Sequence, residues 1–152
     1  MKPLFAVLNQ HYPRHESKEN LYRRIGWADV IQHPGFNDTC AIRMSVGLAG
    51  AGVPVRGAMK AKLGDLKNKR IEPRQANLSR MLRGLWGEPD IYASEQDARD
   101  GIANRSGVIS FFRIGGGPGG HIDLISPGPY GFPQCARSCF FASEEIWFWP
   151  LQ

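Results

Sequence analysis

The apolar residues of this chain change their period near Gly107, and that change limits the folds open to it. Before it, Leu21, Ile25 and Ala28 in residues 17–31 recur at helical spacing. So do Ala41, Met44 and Leu48 in residues 40–48, and Leu78, Met81, Leu82 and Leu85 in residues 75–86. Ser17 or Asn20 can cap the first helix, and Asp38 or Thr39 the second. His33-Pro34-Gly35, Gly50 with Gly52, and Gly87 with Pro89 supply the stops. Ser94-Glu95-Gln96-Asp97 opens a further turn or two, supported by Ala98 and Ile102. After Gly107 the apolar residues come in β-branched and aromatic runs, and residues 108–114, 121–125 and 146–149 read as strands. Residues 53–55 read as a short extended piece, while 115–120 and 126–138 read as loops. Helices followed by an antiparallel sheet make an α+β layout.

At 152 residues, with no internal repeat or linker, the chain is expected to form a single domain, 1–152. Its 18 glycines and 11 prolines fit a loop-rich fold. No apolar run approaches the roughly 18 residues of a membrane span, so membrane insertion is not expected. The apolar stretch at residues 3–8 is too short for a signal peptide, so export by the general secretory route is not expected either.

The formal charge is +5, and its excess lies between Arg56 and Arg83, where Asp65 and Glu72 are the only acidic residues. Such a stretch is either a solvated face or a surface that attracts a polyanion. Zinc-finger spacing, Arg/Gly repeats and RNA-binding aromatic signatures are all missing, which disfavours nucleic acid.

Three cysteines form an unequal set. Cys135 and Cys139 stand close together in a Pro/Gly-rich stretch, which points to a local disulfide, and Cys40 is left over. As a metal half-site the pair lacks further ligands, so neither a metal nor another cofactor is expected. Cys40 falls at a helix start, where the dipole and the free N–H groups of the first turn favour a thiolate. The polar run Asn37-Asp38-Thr39 before it is placed to supply an oxyanion donor.

A cysteine nucleophile needs a base, and His121 is the best of four histidines. It enters a strand directly after a glycine-rich loop, whereas His11, His15 and His33 lie in polar, proline-flanked segments. The loop lacks the lysine and following helix of a phosphate cradle. Asp123, two residues on, shares a strand face with His121 and is a candidate to orient the ring; Gln134 is another. Trp147 and Trp149 alternate with Ile146 and Phe148, as in a strand buried on both faces.

Several of these motifs resemble one family. Asn37-Asp38-Thr39-Cys40-Ala41-Ile42-Arg43-Met44-Ser45 with Gly52-Val53-Pro54 is similar to the cysteine motif of the type VI secretion amidase effectors, fourth family. Gly120-His121-Ile122-Asp123-Leu124 looks like its histidine motif. Trp86-Gly87-Glu88-Pro89, and Cys139 to Ser143 with Ile146-Trp147-Phe148-Trp149, resemble its central helix end and last strand. The resemblance covers most of residues 35–151. It implies a papain-like cysteine hydrolase fold, with N-terminal helices packed on a small antiparallel β-sheet. It also implies a peptidoglycan endopeptidase that cuts the stem peptide between γ-D-glutamate and meso-diaminopimelate, with Cys40, His121 and Asp123 as the catalytic set. Delivery by a type VI secretion apparatus into the periplasm of a competing cell, and a cognate immunity protein as inhibitor, are implied as well. Two positions depart from the family pattern. No acidic residue lies between Asp123 and Glu144, where the family carries an aspartate, and Ile125 stands where a tryptophan is usual. Outside the resemblance, the alternative is a basic, non-catalytic module that binds an anionic polymer through the Arg56–Arg83 stretch.

Overall fold

A computed structural model describes residues Met1–Gln152. The first half is helical: α1 (Phe5–His11), α2 (Lys18–Arg24) and α3 (Cys40–Gly50), then a two-strand hairpin of β1 (Met59–Lys60) and β2 (Arg70–Ile71), and α4 (Gln75–Trp86). After β3 (Asp90–Tyr92) and α5 (Glu95–Ile102) come β4 (Ser106–Ile114), β5 (His121–Pro127), β6 (Pro133–Cys135) and β7 (Ser143–Leu151). The five-stranded sheet has the order β3-β7-β4-β5-β6, with every pairing antiparallel. No helix is long and apolar enough to cross a membrane.

The sheet is buried on both faces, and the strands alternate accordingly. Val108, Ile122, Leu124, Trp147 and Trp149 pack toward α1, α3 and α4. Ile109, Phe111, Ile125, Ile146 and Phe148 pack toward α5, which contributes Ala98 and Ile102. The alternation of tryptophans with Ile146 and Phe148 is therefore two-sided packing, as expected.

Every residue of α3 from Cys40 to Leu48 is buried, because the helix lies between two apolar clusters. Ala41, Met44 and Leu48 face the sheet, while Ile42 and Val46 face α2, Trp27 and Ile71. Gly47 admits the N-terminal segment, since a Cβ there would sit 3.3 Å from Tyr12 Cα. From there the Tyr12 hydroxyl reaches Asp123 on β5 at 3.5 Å.

Three readings of the sequence need correction. The helix expected over residues 17–31 stops at Arg24, because Gly26 takes a left-handed φ of 81° and Trp27 turns inward to donate to the Lys60 carbonyl at 2.8 Å. Residues 53–55 pair with no strand. The stretch 126–138 holds the edge strand β6, where Cys135 sits opposite Ile125.

Candidate active site

Cys40 is the first residue of α3, and of the two expected caps Asp38 makes the bond: its Oδ1 accepts the Cys40 N–H at 3.1 Å. Thr39 Oγ1 instead accepts Arg43 Nε–H at 2.9 Å. The thiol is not ionised by its helix end. Burial, then the nearby Asp38 carboxylate, push it from an ordinary 9.0 up to about 12, while the N–H groups of Ile122 and Ala41 pull the other way. A rise of that size corresponds to about 4 kcal/mol against the thiolate, whereas a helix terminus contributes only about 0.3–1 kcal/mol in its favour. Burial outweighs the helix end and favours the neutral thiol over the thiolate that the helix start alone would favour.

The sulfur is nevertheless reachable. Cys40 is only 4% exposed, yet it lines a cleft of about 260 Å³ together with Asp38, Thr39, His121 and Phe140. A larger hollow of about 920 Å³ lies between the N-terminal segment and the end of β7, with neither cysteine nor histidine in its walls.

His121 opens β5 on the other side of the cleft. Its Nε2–H donates to Asp123 Oδ2 at 2.8 Å, so the neutral ring keeps an unprotonated Nδ1. Phe111 stacks against the ring and Phe140 meets it edge-on, with centroids 6.3 and 5.1 Å away. His11, His15 and His33 are exposed, as expected.

Asp123 is fully buried and its oxygens are fully supplied. Oδ2 also accepts the N–H groups of Arg137 (3.1 Å) and Ser138 (3.0 Å), and Oδ1 accepts the Leu124 N–H (2.8 Å) and the Tyr12 hydroxyl (3.5 Å). A buried carboxylate is tolerated when its lone pairs are matched in this way. The two peptide N–H groups come from the short loop closed by the Cys135–Cys139 disulfide, which leaves Cys40 as the free thiol. Gln134 makes no contact with the ring; it lies exposed on β6, beside a separate hollow lined by Asn9, Arg14 and Ser126.

Tyr12 and the Arg137–Ser138 backbone had no signal in the sequence. The first depends on how α1 docks on α3, and the second is main chain, which residue identity does not encode. For Arg137 and Ser138, the position between the paired cysteines was the one available clue.

Helices against an antiparallel sheet, with a cysteine at a helix start facing a histidine and a carboxylate on one strand, make this a papain-like α+β protein. Residues 36–149 match the family model of type VI secretion system amidase effector protein 4. The chain belongs to that family, and so is a peptidoglycan amidase effector of type VI secretion. Its fold is similar to that of the effector Tae4 from Enterobacter cloacae, with a TM-score of 0.75 and 24% identity over 100% of this chain and 98% of that one. It is also similar to Tae4 from Salmonella typhimurium in complex with the immunity protein Tai4 from Enterobacter cloacae. There the TM-score is 0.74 and the identity 22%, over 99% of this chain and 100% of that one. A comparison with curated proteins found no match.

Proposed function

We propose that the chain is a single catalytic domain that cleaves the γ-D-glutamyl–meso-diaminopimelate bond of peptidoglycan stem peptides, with Cys40 as nucleophile. The observation that carries this reading is that Cys40 and His121 line one cleft while buried Asp123 holds His121 by Nε2. Because the thiol rests protonated, its proton passes to His121 Nδ1 as the sulfur attacks the carbonyl carbon. Asp123 keeps the ring in the right tautomer and stabilises the imidazolium that forms. Nδ1–H then protonates the departing amine, and water, deprotonated by the same nitrogen, releases the glutamyl product from the thioester. The Cys40 N–H serves as an oxyanion donor, for which the substrate oxygen competes with Asp38.

Family membership supports delivery by a type VI apparatus, and the wall substrate makes the periplasm of the recipient cell the place of action. The Tai4 complexes of the similar Tae4 proteins support a cognate immunity protein as the inhibitor of this chain. The test is mass spectrometry of sacculi digested with the wild type and with Cys40→Ala. Wild-type digests should contain stem peptides cut after glutamate, and the variant should release none while unfolding thermally as a single folded species. Muropeptide release by the variant would remove Cys40 from the mechanism.

A further inference from the structure

Beside the Cys40 cleft runs a larger groove of about 770 Å³, between the turn at Pro34–Phe36, the chain entering α4 and the glycine loop before β5. Asp38 lines both hollows, and Gly120 of the groove wall directly precedes His121 of the cleft. A peptide that presents a carbonyl to Cys40 therefore lays one flank along this groove. Its walls are close-fitting, since a Cβ on Gly120 would come 2.0 Å from Gln75 Oε1.

The charges along the groove are unevenly engaged. Glu72 is 2% exposed, and its carboxylate already accepts the N–H groups of Ala58 (3.2 Å) and Arg74 (3.0 Å). Arg74 and Arg80 are exposed, and neither has a carboxylate within 4.0 Å. Elsewhere, Arg24, Arg99, Arg105 and Arg113 each hold an acidic partner, at 2.9, 2.7, 3.0 and 2.6 Å. Arg80 donates only to neutral Asn77, at 2.8 Å, and the Arg74 side chain donates to nothing in the protein.

We propose that Arg74 and Arg80 form a carboxylate-binding subsite that reads a free carboxylate of the stem peptide beside the scissile bond. The proposal rests on the endopeptidase reading given above. Guanidinium groups pair with carboxylates in a planar, two-bonded geometry that neutral amides cannot match. Asp38, at the junction of the two hollows, repels a carboxylate that slides toward the sulfur. Attraction at the arginines and repulsion at Asp38 together set the register that leaves an uncharged carbonyl at Cys40.

The test compares a stem tripeptide with two analogues, one amidated at the glutamate α-carboxylate and one at the diaminopimelate carboxylates, by product chromatography. Wild type should prefer the acid over one of the amides by roughly tenfold or more in kcat/KM, the size expected for one charge-assisted pair. The amide that suffers identifies which carboxylate is read. Arg74→Gln combined with Arg80→Gln should bring that ratio near one, mainly through KM. Lys67→Gln, in the same basic stretch but outside the groove, should keep the wild-type ratio. A double variant with the wild-type ratio, or a wild type that cleaves all three peptides equally, overturns the subsite and leaves the endopeptidase reading intact. A wild type that cleaves none of the three overturns both.

Discussion

Two carboxylates near one sulfur act in opposite senses. Asp123 is sealed in the protein and every donor around it is fixed, so it holds His121 still. Asp38 is exposed, takes the Cys40 N–H, and makes the thiolate harder to form. Asp38→Asn removes that charge, so the Cys40 thiol should ionise at lower pH. Alkylation by iodoacetamide, followed against pH, should then show its midpoint displaced to lower values than in the wild type. An unmoved midpoint would mean that burial alone sets the thiol. Asp123→Ala frees the imidazole and orphans the Arg137 and Ser138 N–H groups, each at a cost of about 1–3 kcal/mol if left unpaired. It should lower kcat by on the order of 10²-fold or more and reduce the melting temperature. Gln134→Ala should leave the rate within about twofold, as for a surface change away from the site. A larger loss with Gln134→Ala than with Asp123→Ala would exchange their roles.

At the scale of elements, α4 and the strands β4, β5 and β7 were legible because each carries its own period and stop signals. Gly87, for instance, ends α4 with a φ of 89°. The elements that escaped notice depend on partners distant in sequence. Helix α1 has one buried residue, Leu8, and gains its place from Gly47; β6 is three residues long and exists by pairing with β5. The same limit applied at the site. Cys40, His121 and Asp123 were readable from motif and spacing, but the thiol's protonation depends on burial, which neither the helix start nor the motif reveals. The disulfide joins the two kinds of information, since its cysteines were visible while the N–H groups between them were not. By chain entropy a loop this short stabilises by about 2 kcal/mol. Its larger effect is expected at Asp123, whose Oδ2 loses ordered donors when the loop relaxes. Replacing both Cys135 and Cys139 by serine should therefore cut muropeptide hydrolysis by about tenfold or more while lowering the melting temperature only modestly. Equal activity with and without the bridge would show that the loop holds its shape by itself.

Across the whole molecule, the two-faced sheet and the largely buried α3 place the Cys40 thiol and the phenols of Tyr12 and Tyr22 out of water. Burial is the largest cause of the rise in each case; it carries Cys40 from 9.0 to about 12 and Tyr22 from 10.0 to about 12, and lifts Tyr12 further. The consequence for stability follows from proton counting. Below pH 9 the folded and unfolded chains both keep these protons, and the groups add no slope. From about pH 9 for the thiol and pH 10 for the phenols the unfolded chain sheds them while the folded chain retains them, so stability falls with rising pH; Cys40 and Tyr22 stop adding to the slope near pH 12, and Tyr12 later. For Cys40 alone the loss reaches about 1.4 kcal/mol one pH unit above the unfolded value. The melting temperature should thus decline steadily between pH 9 and 11, and Cys40→Ala should decline less steeply than the wild type across that window. Parallel curves for the two proteins would show that the sulfur is hydrated in the folded state. A hydrated sulfur of ordinary acidity would still carry its proton at neutral pH, so His121 would take that proton during the attack in either case.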